Sequence, residues 1–276
     1  MDGIFFYKMS GSGNDFIIVD NRKKTLDEHR LPQLITGACR RRLSVGADGL
    51  ILVEPSDKAD FKWRFFNSDG SRAEMCGNGA RCVSRFAFLL GIAGPRLCFE
   101  TDVGMVSAEI IEDQVKLKMT DPSAIQSNRR LKRRNGDEIT CDVINTGVPH
   151  AVVQVPDVEA VDVVALGREI RHHDLFAPAG TNVNFTGPAG EGVVFNRTYE
   201  RGVEDETLAC GTGSVAAALI AVHTRGWPSP VQVRTRSGAV LKVHFDVQGG
   251  RFTDVHLEGD ARLVYRAEML PEAWRA

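Results

Sequence analysis

The stretch Glu74-Met75-Cys76-Gly77-Asn78-Gly79-Ala80-Arg81-Cys82 joins two apolar segments of the chain. Arg64 to Gly70 precedes it and ends in an Asp-Gly turn, and the long run Val83 to Leu90 follows it and closes at Gly91. A strand, a turn and a cysteine with glycines opening a helix can bind an anion, because glycines admit close backbone approach and a helix N-terminus attracts negative charge. The same surroundings would stabilise a thiolate at Cys76. A single stretch of this kind also fits a small buried cysteine beside a turn, so its interpretation depends on a second copy.

A second copy, Leu208-Ala209-Cys210-Gly211-Thr212-Gly213-Ser214, leads into the apolar run Val215 to Val222 and then meets Gly226. Cys210 lies 134 residues after Cys76. The same offset aligns four further pairs of segments: Gly13 to Val19 with Gly147 to Val153, Gly46 to Asp48 with Gly180 to Asn182, Phe66-Asn67 with Glu200-Arg201, and Thr101 to Val106 with Thr235 to Val240. The period is far too long for a solenoid repeat. It predicts two similar domains of about 130 residues, a normal domain size.

Composition excludes several classes of protein. The 276 residues are 43% hydrophobic, enough for two cores, and their net charge of −2 gives no global field toward nucleic acid or a membrane. The basic clusters Arg40 to Arg42 and Arg129 to Arg134 are interpreted as solvated surface. No stretch is long enough for a membrane span, and the N-terminus lacks the pattern of a signal peptide. Six cysteines without short paired spacings indicate reduced thiols. We therefore expect a cytoplasmic protein with no nucleic-acid partner and no membrane partner.

Hydrophobic periodicity predicts the same elements in both halves. In the first half the predicted strands are Ile4 to Met9, Phe16 to Val19, Leu50 to Val53, Phe61 to Phe66, Arg96 to Thr101, Met105 to Ile111 and Gln114 to Met119. In the second half they are Val143 to Val155, Val183 to Phe185, Val193 to Tyr199, Val231 to Arg234 and Val240 to Val247, with a last strand-like stretch at Ala261 to Arg266. A short outer helix is predicted at Leu31 to Leu43 and at Val161 to Ile170, and one long helix follows each cysteine.

The long helices decide the predicted fold class, because both are apolar on nearly every side and a helix of that kind is buried. The expected fold is α+β, with two pseudo-symmetric domains that each curl a mostly antiparallel sheet around a central apolar helix. The polar segment Asp121 to Gly136 is predicted to be the linker. The domains are expected at residues 1–122 and 123–261, with 262–276 returning to the first, and the active site is expected in the cleft between them.

One thiol in each of two similar domains suits a reaction that needs an acid and a base on opposite faces of one carbon. Racemisation at the Cα of an amino acid is such a reaction: one group removes the proton and the other returns one from the far side. The carbanion needs its carboxylate stabilised, and backbone N–H groups at the two helix ends could do so, as in an oxyanion hole. The groups concerned are those of Gly77, Asn78, Gly211 and Thr212. The helix ends would also lower the cysteine pKa from about 8.5.

The motifs of the chain resemble those of the diaminopimelate epimerase family, whose members are cofactor-independent amino-acid epimerases of lysine and peptidoglycan precursor biosynthesis. The matching segments are Ser10 to Phe16, Gly46 to Gly49, Phe66 to Ser71, Met75 to Cys82, Pro149-His150, Thr181-Asn182, Tyr199 to Gly202 and Ala209 to Gly213. They cover most of the chain in order. The resemblance implies conversion of LL- to meso-diaminopimelate without pyridoxal phosphate, any other cofactor or a metal.

The resemblance also implies roles for individual residues. Cys76 and Cys210 would be the acid/base pair, Glu200 would take the reacting α-amino group, and His150 would support the site. Around the substrate, chiefly at its distal amino-acid end, it places Asn14, Asn67, Asn182 and Arg201. Arg201 offers a planar fork for a carboxylate, and Glu200 suits an ammonium group. A homodimer is expected by resemblance, with Tyr265 as a candidate contact.

The chain departs from the family pattern at two positions. Val148 stands where many members have Asn, and Gly49 stands where some have Gln. Both departures concern how tightly the distal end of the substrate is held, not the chemistry at Cα.

Three other interpretations stay open at this point. The same superfamily contains proline and hydroxyproline racemases, which also use a cysteine pair, and phenazine-type isomerases, which typically lack it. A binding or redox protein in which Cys76 and Cys210 form a reversible disulfide is a non-enzyme alternative. The other four cysteines, Cys39, Cys82, Cys98 and Cys141, are interpreted as core residues. A zinc site would need closely spaced Cys/His pairs, which the sequence does not offer.

Overall fold

The computed structural model describes residues 3–275, which form a mixed α+β fold with four α-helices. The chain divides into two compact units. Unit 1 comprises the chain up to Leu117 together with the segment from Gly259 onwards, and unit 2 comprises Lys118–Glu258.

Unit 1 contains two helices and eight strands of the described chain. They are β1 (Ile4–Gly11), β2 (Asn14–Asp20), α1 (Leu31–Cys39), β3 (Gly49–Glu54), β4 (Phe61–Asn67), α2 (Gly77–Leu89), β5 (Arg96–Thr101), β6 (Gly104–Ile111), β7 (Gln114–Lys118) and, from the C-terminal segment, β17 (Arg262–Met269). Strand β17 pairs antiparallel with β1.

Unit 2 contains the other two helices and the remaining strands. They are β8 (Gln126–Lys132), β9 (Glu138–Asn145), β10 (Pro149–Gln154), α3 (Val163–Arg171), β11 (Asn182–Pro188), β12 (Val193–Glu200), β13 (Asp205–Thr207), α4 (Gly211–Arg225), β14 (Val231–Arg234), β15 (Val240–Gln248) and β16 (Arg251–Asp260). The last two residues of β16, Gly259 and Asp260, belong to unit 1.

The two units repeat one topology. In unit 1 helix α1 joins the parallel strands β2 and β3, and α2 joins the parallel strands β4 and β5. In unit 2 α3 joins the parallel strands β10 and β11, and α4 leads into β14, which lies parallel to β12. Parallel neighbours need a crossover, and a helix provides it. Antiparallel pairing predominates elsewhere, for example between β3 and β4 and between β11 and β12.

Strand register corrects the offset inferred from the sequence. Phe16 and His150 are equivalent at 134 residues, but Phe16 lies opposite Gly49, whereas His150 lies opposite Asn182. Ile51 lies opposite Phe65, and Asn184 lies opposite Thr198. The offset is therefore 133 residues from β3 to β11 and from β4 to β12, because the connection through α3 is one residue shorter than the connection through α1. Glu200, not Arg201, is the equivalent of Asn67.

The two long helices differ in burial. Residues 215–221 of α4 are buried without interruption, with apolar side chains of β10, β12, β14, β15 and β16 around them. This agrees with the prediction of an apolar helix in the core. Helix α2 differs, because Phe88 is 38% exposed and Leu89 is 48% exposed. The prediction that α2 is buried on every side is wrong at its C-terminal turn, which reaches the surface.

Two predicted segments differ from the structure. The predicted linker contains strand β8, in which Leu131 is buried while its charged neighbours Arg130 and Lys132 are exposed. The single strand predicted at Val143 to Val155 is two strands, β9 and β10, joined by a turn in which Gly147 has φ of +111°. Within residues 3–275, no helix has the length and apolar character needed to cross a membrane.

Candidate active site

Cys76 is the residue immediately before helix α2, as predicted. Its backbone is extended, with φ of −147° and ψ of 116°, and its side chain does not cap the helix. Its carbonyl accepts the first helical hydrogen bond, from Ala80 N at 2.8 Å. The first N–H groups of a helix have no carbonyl to bind within the helix, so this end can receive an anion. A Cβ at Gly77 would meet no atom within 4 Å, so the space above the first turn is open.

Asn14 connects Cys76 to a carboxylate. The Cys76 thiol donates to Asn14 Oδ1 at 3.4 Å, and Asn14 Nδ2 donates to Asp48 Oδ2 at 2.6 Å. Because the carboxylate of Asp48 can only accept, it holds the Asn14 amide with its oxygen toward the thiol. Asn14 therefore lies beside the cysteine of unit 1.

A group of charged side chains fixes Asp48 and the start of β2. Arg41 donates to Asp48 Oδ1 at 2.7 Å and to Asp15 Oδ1 at 2.5 Å, and Lys8 lies 2.7 Å from Asp15 Oδ2. Burial opposes ionisation of Asp15, but hydrogen bonds from Arg41 and Lys8 prevail and lower its pKa below the usual value. The lowered pKa keeps Asp15 ionised, and its ion pairs with Arg41 and Lys8 fix the start of β2, where Asn14 lies.

Asn78 is positioned from behind by a buried arginine. Arg81 is fully buried and donates through Nη2 to Asn78 Oδ1 at 3.0 Å and to Ser12 Oγ at 2.8 Å. Asn78 Nδ2 then donates to Asn14 Oδ1 at 3.4 Å. Ser12, which has a positive φ of 55°, is held by Asp260, whose Oδ1 accepts from both Ser12 N and Ser12 Oγ. The C-terminal segment therefore anchors the turn that carries Asn14.

Cys210 takes the matching position in unit 2. It is the residue before α4, its backbone is extended, and its side chain does not cap the helix. Its Sγ lies 3.6 Å from Thr212 Oγ1, and its thiol also hydrogen-bonds the carboxylate of Glu200. The acceptor of the thiol is thus a carboxylate in unit 2 and a neutral amide in unit 1.

Glu200 lies in a site that disfavours its charge. Burial raises its pKa above the usual value, while hydrogen bonds from Thr207 and from Cys210 act in the opposite direction. Thr207 Oγ1 donates to Glu200 Oε2 at 2.9 Å. A carboxylate with two fixed donors and a costly charge is a strong acceptor for an ammonium group or for a thiol proton.

His150 is fully buried, and its two ring nitrogens differ. Nδ1 lies 2.9 Å from Asn184 Nδ2, whereas Nε2 has no hydrogen-bond partner among the described residues. Burial lowers the pKa of His150 to about 3, and the charge of Arg201 acts in the same direction. The ring is therefore a neutral imidazole near pH 7. The structure brings it near Arg201, another of the predicted residues.

Asn182 ties the loop after β12 to the start of β10. Its Nδ2 donates to the carbonyl of Pro149 at 3.2 Å, and its Oδ1 accepts from Arg201 N at 2.8 Å. Arg201 also lies 3.5 Å from the carbonyl of Ala179 through Nη1. His150, Asn182, Glu200 and Arg201 thus belong to one cluster at the ends of β10, β11 and β12.

Asn67 and Gly49 lie at the corresponding strand ends of unit 1. Asn67 is exposed and donates to Ser71 Oγ at 3.0 Å. A Cβ at Gly49 would lie 2.6 Å from the carbonyl of Phe66 and 2.7 Å from the Phe65 ring. Glycine at position 49 is therefore required by strand packing in this chain, and a larger residue would need a different backbone.

Tyr265 lies on β17, opposite Lys8 of β1. It is 43% exposed and contacts Phe6 edge to face, with ring centroids 5.9 Å apart. Leu263 and Val264 beside it are also exposed.

Sequence reasoning missed the groups that position the predicted residues. Asp48 belonged to a quoted motif without a role, and Asn184 and Thr198 were not singled out. A signal was available, because Asn182, Asn184 and Thr186 are polar at alternate positions of a strand that is otherwise apolar. Polar residues with a period of two inside a buried strand indicate a polar layer under the surface. Among residues 3–275, no group of three or more His, Cys, Asp or Glu side chains is arranged to hold a metal ion.

Comparison with known proteins adds independent findings. A sequence model of the family described as diaminopimelate epimerase matches residues 6–125 and 143–264. The diaminopimelate epimerase of Aquifex aeolicus is 45% identical over 279 residues, covering 97% of this chain and 98% of that protein. That of Chlorobaculum tepidum is 42% identical, covering 94% and 98%. A phenazine biosynthesis protein of the PhzF family from Bacillus anthracis has a TM-score of 0.74 at 18% identity, covering 98% of this chain and all of that one. This last likeness shows a shared fold.

Proposed function

The chain belongs to the diaminopimelate epimerase family, and from that premise we propose that Cys76 and Cys210 together invert the α-carbon of diaminopimelate. The isomerase activity follows from the family. The observation that supports the assignment of the two cysteines is their equivalent position before α2 and α4, each with a thiol donating to a fixed oxygen acceptor.

The proposed reaction moves one proton off Cα and another onto it. The thiolate of one cysteine removes the α-proton and becomes a thiol, while the thiol of the other delivers a proton to the opposite face and becomes a thiolate. The negative charge that develops on the α-carboxylate is received by N–H groups at the starts of α2 and α4, those of Gly77, Asn78, Gly211 and Thr212. We also propose that a curled sheet surrounds each long helix and that the reaction takes place in the cleft between domains 1–122 and 123–261.

The two halves contribute unequally to recognition of the substrate. Glu200 is proposed to accept the reacting α-ammonium group, because its oxygens already accept from Thr207 and Cys210 and its charge needs a partner. Arg201 is proposed to bind the distal carboxylate through its planar guanidinium. Asn67, at the end of β4 in unit 1, and Asn182, at the start of β11 in unit 2, are proposed to contact the distal end of the substrate. Asn182 is next to Arg201, whose backbone N–H donates to its Oδ1. The direction from LL- to meso-diaminopimelate, without cofactor, is part of the proposal.

A homodimer through β17 is proposed as well. Leu263, Val264 and Tyr265 are exposed apolar side chains on consecutive positions of this strand. Sedimentation of the wild type against Tyr265→Asp tests it: a dimer that dissociates in the variant supports β17 as the contact, and an unchanged sedimentation coefficient contradicts it.

A deuterium-exchange assay across four amino acids tests the function. The chain is incubated in D₂O with LL-diaminopimelate, meso-diaminopimelate, proline or glutamate, and deuterium at Cα is followed by NMR. Exchange with inversion is expected for both diaminopimelate isomers and not for proline or glutamate. Exchange confined to proline would contradict the proposal and support the racemase alternative.

A further inference from the structure

A line of buried polar side chains leads through unit 2 to His150. Asn196 Nδ2 donates to Thr198 Oγ1 at 3.2 Å, and Thr198 Oγ1 donates to Asn184 Oδ1 at 2.9 Å. Asn184 Nδ2 completes the line at His150 Nδ1, 2.9 Å away. All four side chains are at most 3% exposed. Groups so deeply buried are costly unless each hydrogen bond is made, so the line has a function or a compensating structural role.

The direction of every hydrogen bond in this line is determined. Asn184 Oδ1 can only accept, so Thr198 uses its hydrogen toward Asn184 Oδ1 and accepts from the amide nitrogen of Asn196. Asn184 Nδ2 also lies 3.4 Å from the carbonyl oxygen of Ala151, which can only accept. The Asn184 amide is thus oriented at both ends, and its nitrogen faces His150. Since an amide nitrogen only donates, His150 Nδ1 must accept, and the ring proton is on Nε2.

Unit 1 has an apolar set at the equivalent positions. The register equates His150 with Phe16, Asn184 with Ile51, Thr198 with Phe65, and Asn196 with Trp63. The three aromatic members of this set pack against one another, with ring centroids 5.8 Å apart for Phe16 and Phe65 and 5.5 Å apart for Trp63 and Phe65, and Ile51 is buried. The fold therefore does not require the polar line, because the same strands form with an apolar layer. Unit 2 differs from unit 1 in the hydrogen-bonding side chains that this layer presents to His150 and Cys210.

The polar line runs directly behind Cys210. A Cβ at Gly213, in the first turn of α4, would lie 3.2 Å from Cys210 Sγ, 3.2 Å from Thr198 Oγ1, and less than 3.0 Å from Asn184 Oδ1. The three atoms nearest to the equivalent Cβ at Gly79 are apolar, the first being Ile51 Cδ1 at 3.3 Å. Asn184 and the Cys210 sulfur are thus neighbours across a glycine that leaves room for both.

We propose that Asn184 is a positioning residue for the reaction. It fixes His150 as a neutral imidazole whose Nδ1 accepts a hydrogen bond and whose Nε2–H donates one. His150 then donates a hydrogen bond to an oxygen of the bound substrate and does not itself carry protons between the cysteines. The expected effect of Asn184 on the rate of epimerisation rests on the proposed function, whereas the tautomer of His150 does not. An Nε2–H that is fully buried without a partner among residues 3–275 awaits an acceptor, and a carboxylate oxygen is the acceptor that the substrate offers.

The charges around His150 agree with a neutral donor. Burial first, and then the neighbouring charge of Arg201, lower the pKa of His150 to about 3. A ring that stays neutral near pH 7 offers one N–H at a fixed place, and the same Arg201 charge attracts the substrate carboxylate toward it.

Nitrogen NMR of the histidine rings tests the tautomer. The chain is labelled with ¹⁵N-histidine, and one of its seven histidines is assigned to His150 by the resonances that disappear in His150→Gln. The expected wild-type spectrum shows a protonated Nε2 and a bare Nδ1 from pH 5 to pH 8. In Asn184→Asp a carboxylate replaces the donor, so Nδ1 is expected to become protonated. Thr198→Ser keeps the hydroxyl and is expected to keep the wild-type tautomer of His150. Thr198→Val removes the hydroxyl, and its spectrum is expected to show both neutral tautomers of His150.

Kinetics and stability complete the test. For Asn184→Asp we expect kcat for both diaminopimelate isomers to fall by about tenfold to a hundredfold, the range for a misplaced group, with a smaller change in KM. Ile51→Val, the matched change in unit 1, is expected to keep kcat, and thermal unfolding of both variants separates loss of function from loss of fold. A wild-type His150 with a proton on Nδ1, or an Asn184→Asp variant with unchanged spectrum and unchanged kcat, overturns the inference. A wild type that does not epimerise diaminopimelate overturns the proposed function, while the spectrum still decides the tautomer.

Discussion

Replacing Gly213 by alanine places one methyl group among Asn184, Thr198 and Cys210. Its Cβ would lie less than 3.0 Å from Asn184 Oδ1, a separation that real Cβ atoms do not show. Asn184 must then move by about 1 Å to restore a normal contact. That movement strains two hydrogen bonds of 2.9 Å, from Thr198 and to His150.

The magnitude follows from three contributions. Overpacking a rigid core costs about 1–3 kcal/mol, and each weakened hydrogen bond costs about 1 kcal/mol. Alanine in place of glycine inside a helix returns about 1 kcal/mol. We therefore expect Gly213→Ala to lower the free energy of unfolding by about 2–4 kcal/mol. Displacement of the groups beside Cys210 is expected to lower kcat by about a hundredfold, because a 1 Å misplacement can cost that much.

Gly79→Ala is the matched control, because Gly79 occupies the equivalent position of α2. Its Cβ would meet the movable end of Ile51 at 3.3 Å and the Phe16 ring at 3.5 Å. We expect its free energy of unfolding to stay within about 1 kcal/mol of the wild type, since helix propensity offsets the small adjustment. Urea unfolding and epimerisation rates are measured for both variants. Equal stability and equal kcat in the two variants would refute the reasoning about the layer behind Cys210.

Three further changes have expected outcomes. Asp48→Ala releases the Asn14 amide from its orienting carboxylate and should lower kcat/KM by about tenfold to a hundredfold, since a hydrogen bond to a charged group contributes about 1.5–3 kcal/mol; steady-state rates check this, and thermal unfolding measures the accompanying change in stability. The pKa of His150 is lowered to about 3 from 6.5, so the unfolded chain binds its proton first as the pH falls below 6.5. Stability should then fall by about 1.4 kcal/mol per pH unit from this group, and urea unfolding of His150→Gln should lack that slope. Burial raises the pKa of Glu200, so its contribution to stability is lost as the pH rises above the usual 4.5. Urea unfolding should therefore show Glu200→Gln gaining stability relative to the wild type between about pH 4 and pH 7; no change in the difference would contradict the burial of that charge.

The sequence predicted those parts of the fold that depend on local pattern. Glycines after Cys76 and Cys210, followed by apolar runs, indicated two helix starts, and both helices begin at the next residue. Strand β5 was predicted with its observed bounds, Arg96–Thr101. Where tertiary position decides, the sequence was insufficient. Strand β8 is rich in arginine, as an edge strand can be, and because of this charge the segment was predicted to be a linker.

Contacts between distant residues explain what the sequence could not give for the site. The family motifs include His150, but the position of its ring proton depends on Asn184, 34 residues away, and on the hydrogen bond from Thr198 that orients Asn184. The one-residue change in offset between β2 and β3 also has no local signal, because it arises in the connection through α3. Its effect is large, since it makes Glu200 the equivalent of Asn67 and thereby places a carboxylate at the position of an amide.

The most direct measurement is epimerisation of diaminopimelate in D₂O by Cys76→Ala and by Cys210→Ala, each confirmed as folded by its circular dichroism. If each cysteine transfers one of the two protons, both variants retain the wild-type fold and lose turnover by at least about 10²–10⁴-fold, the usual contribution of a positioned acid or base. Near-normal turnover with deuterium at Cα of the product in either variant would contradict the two-cysteine reaction.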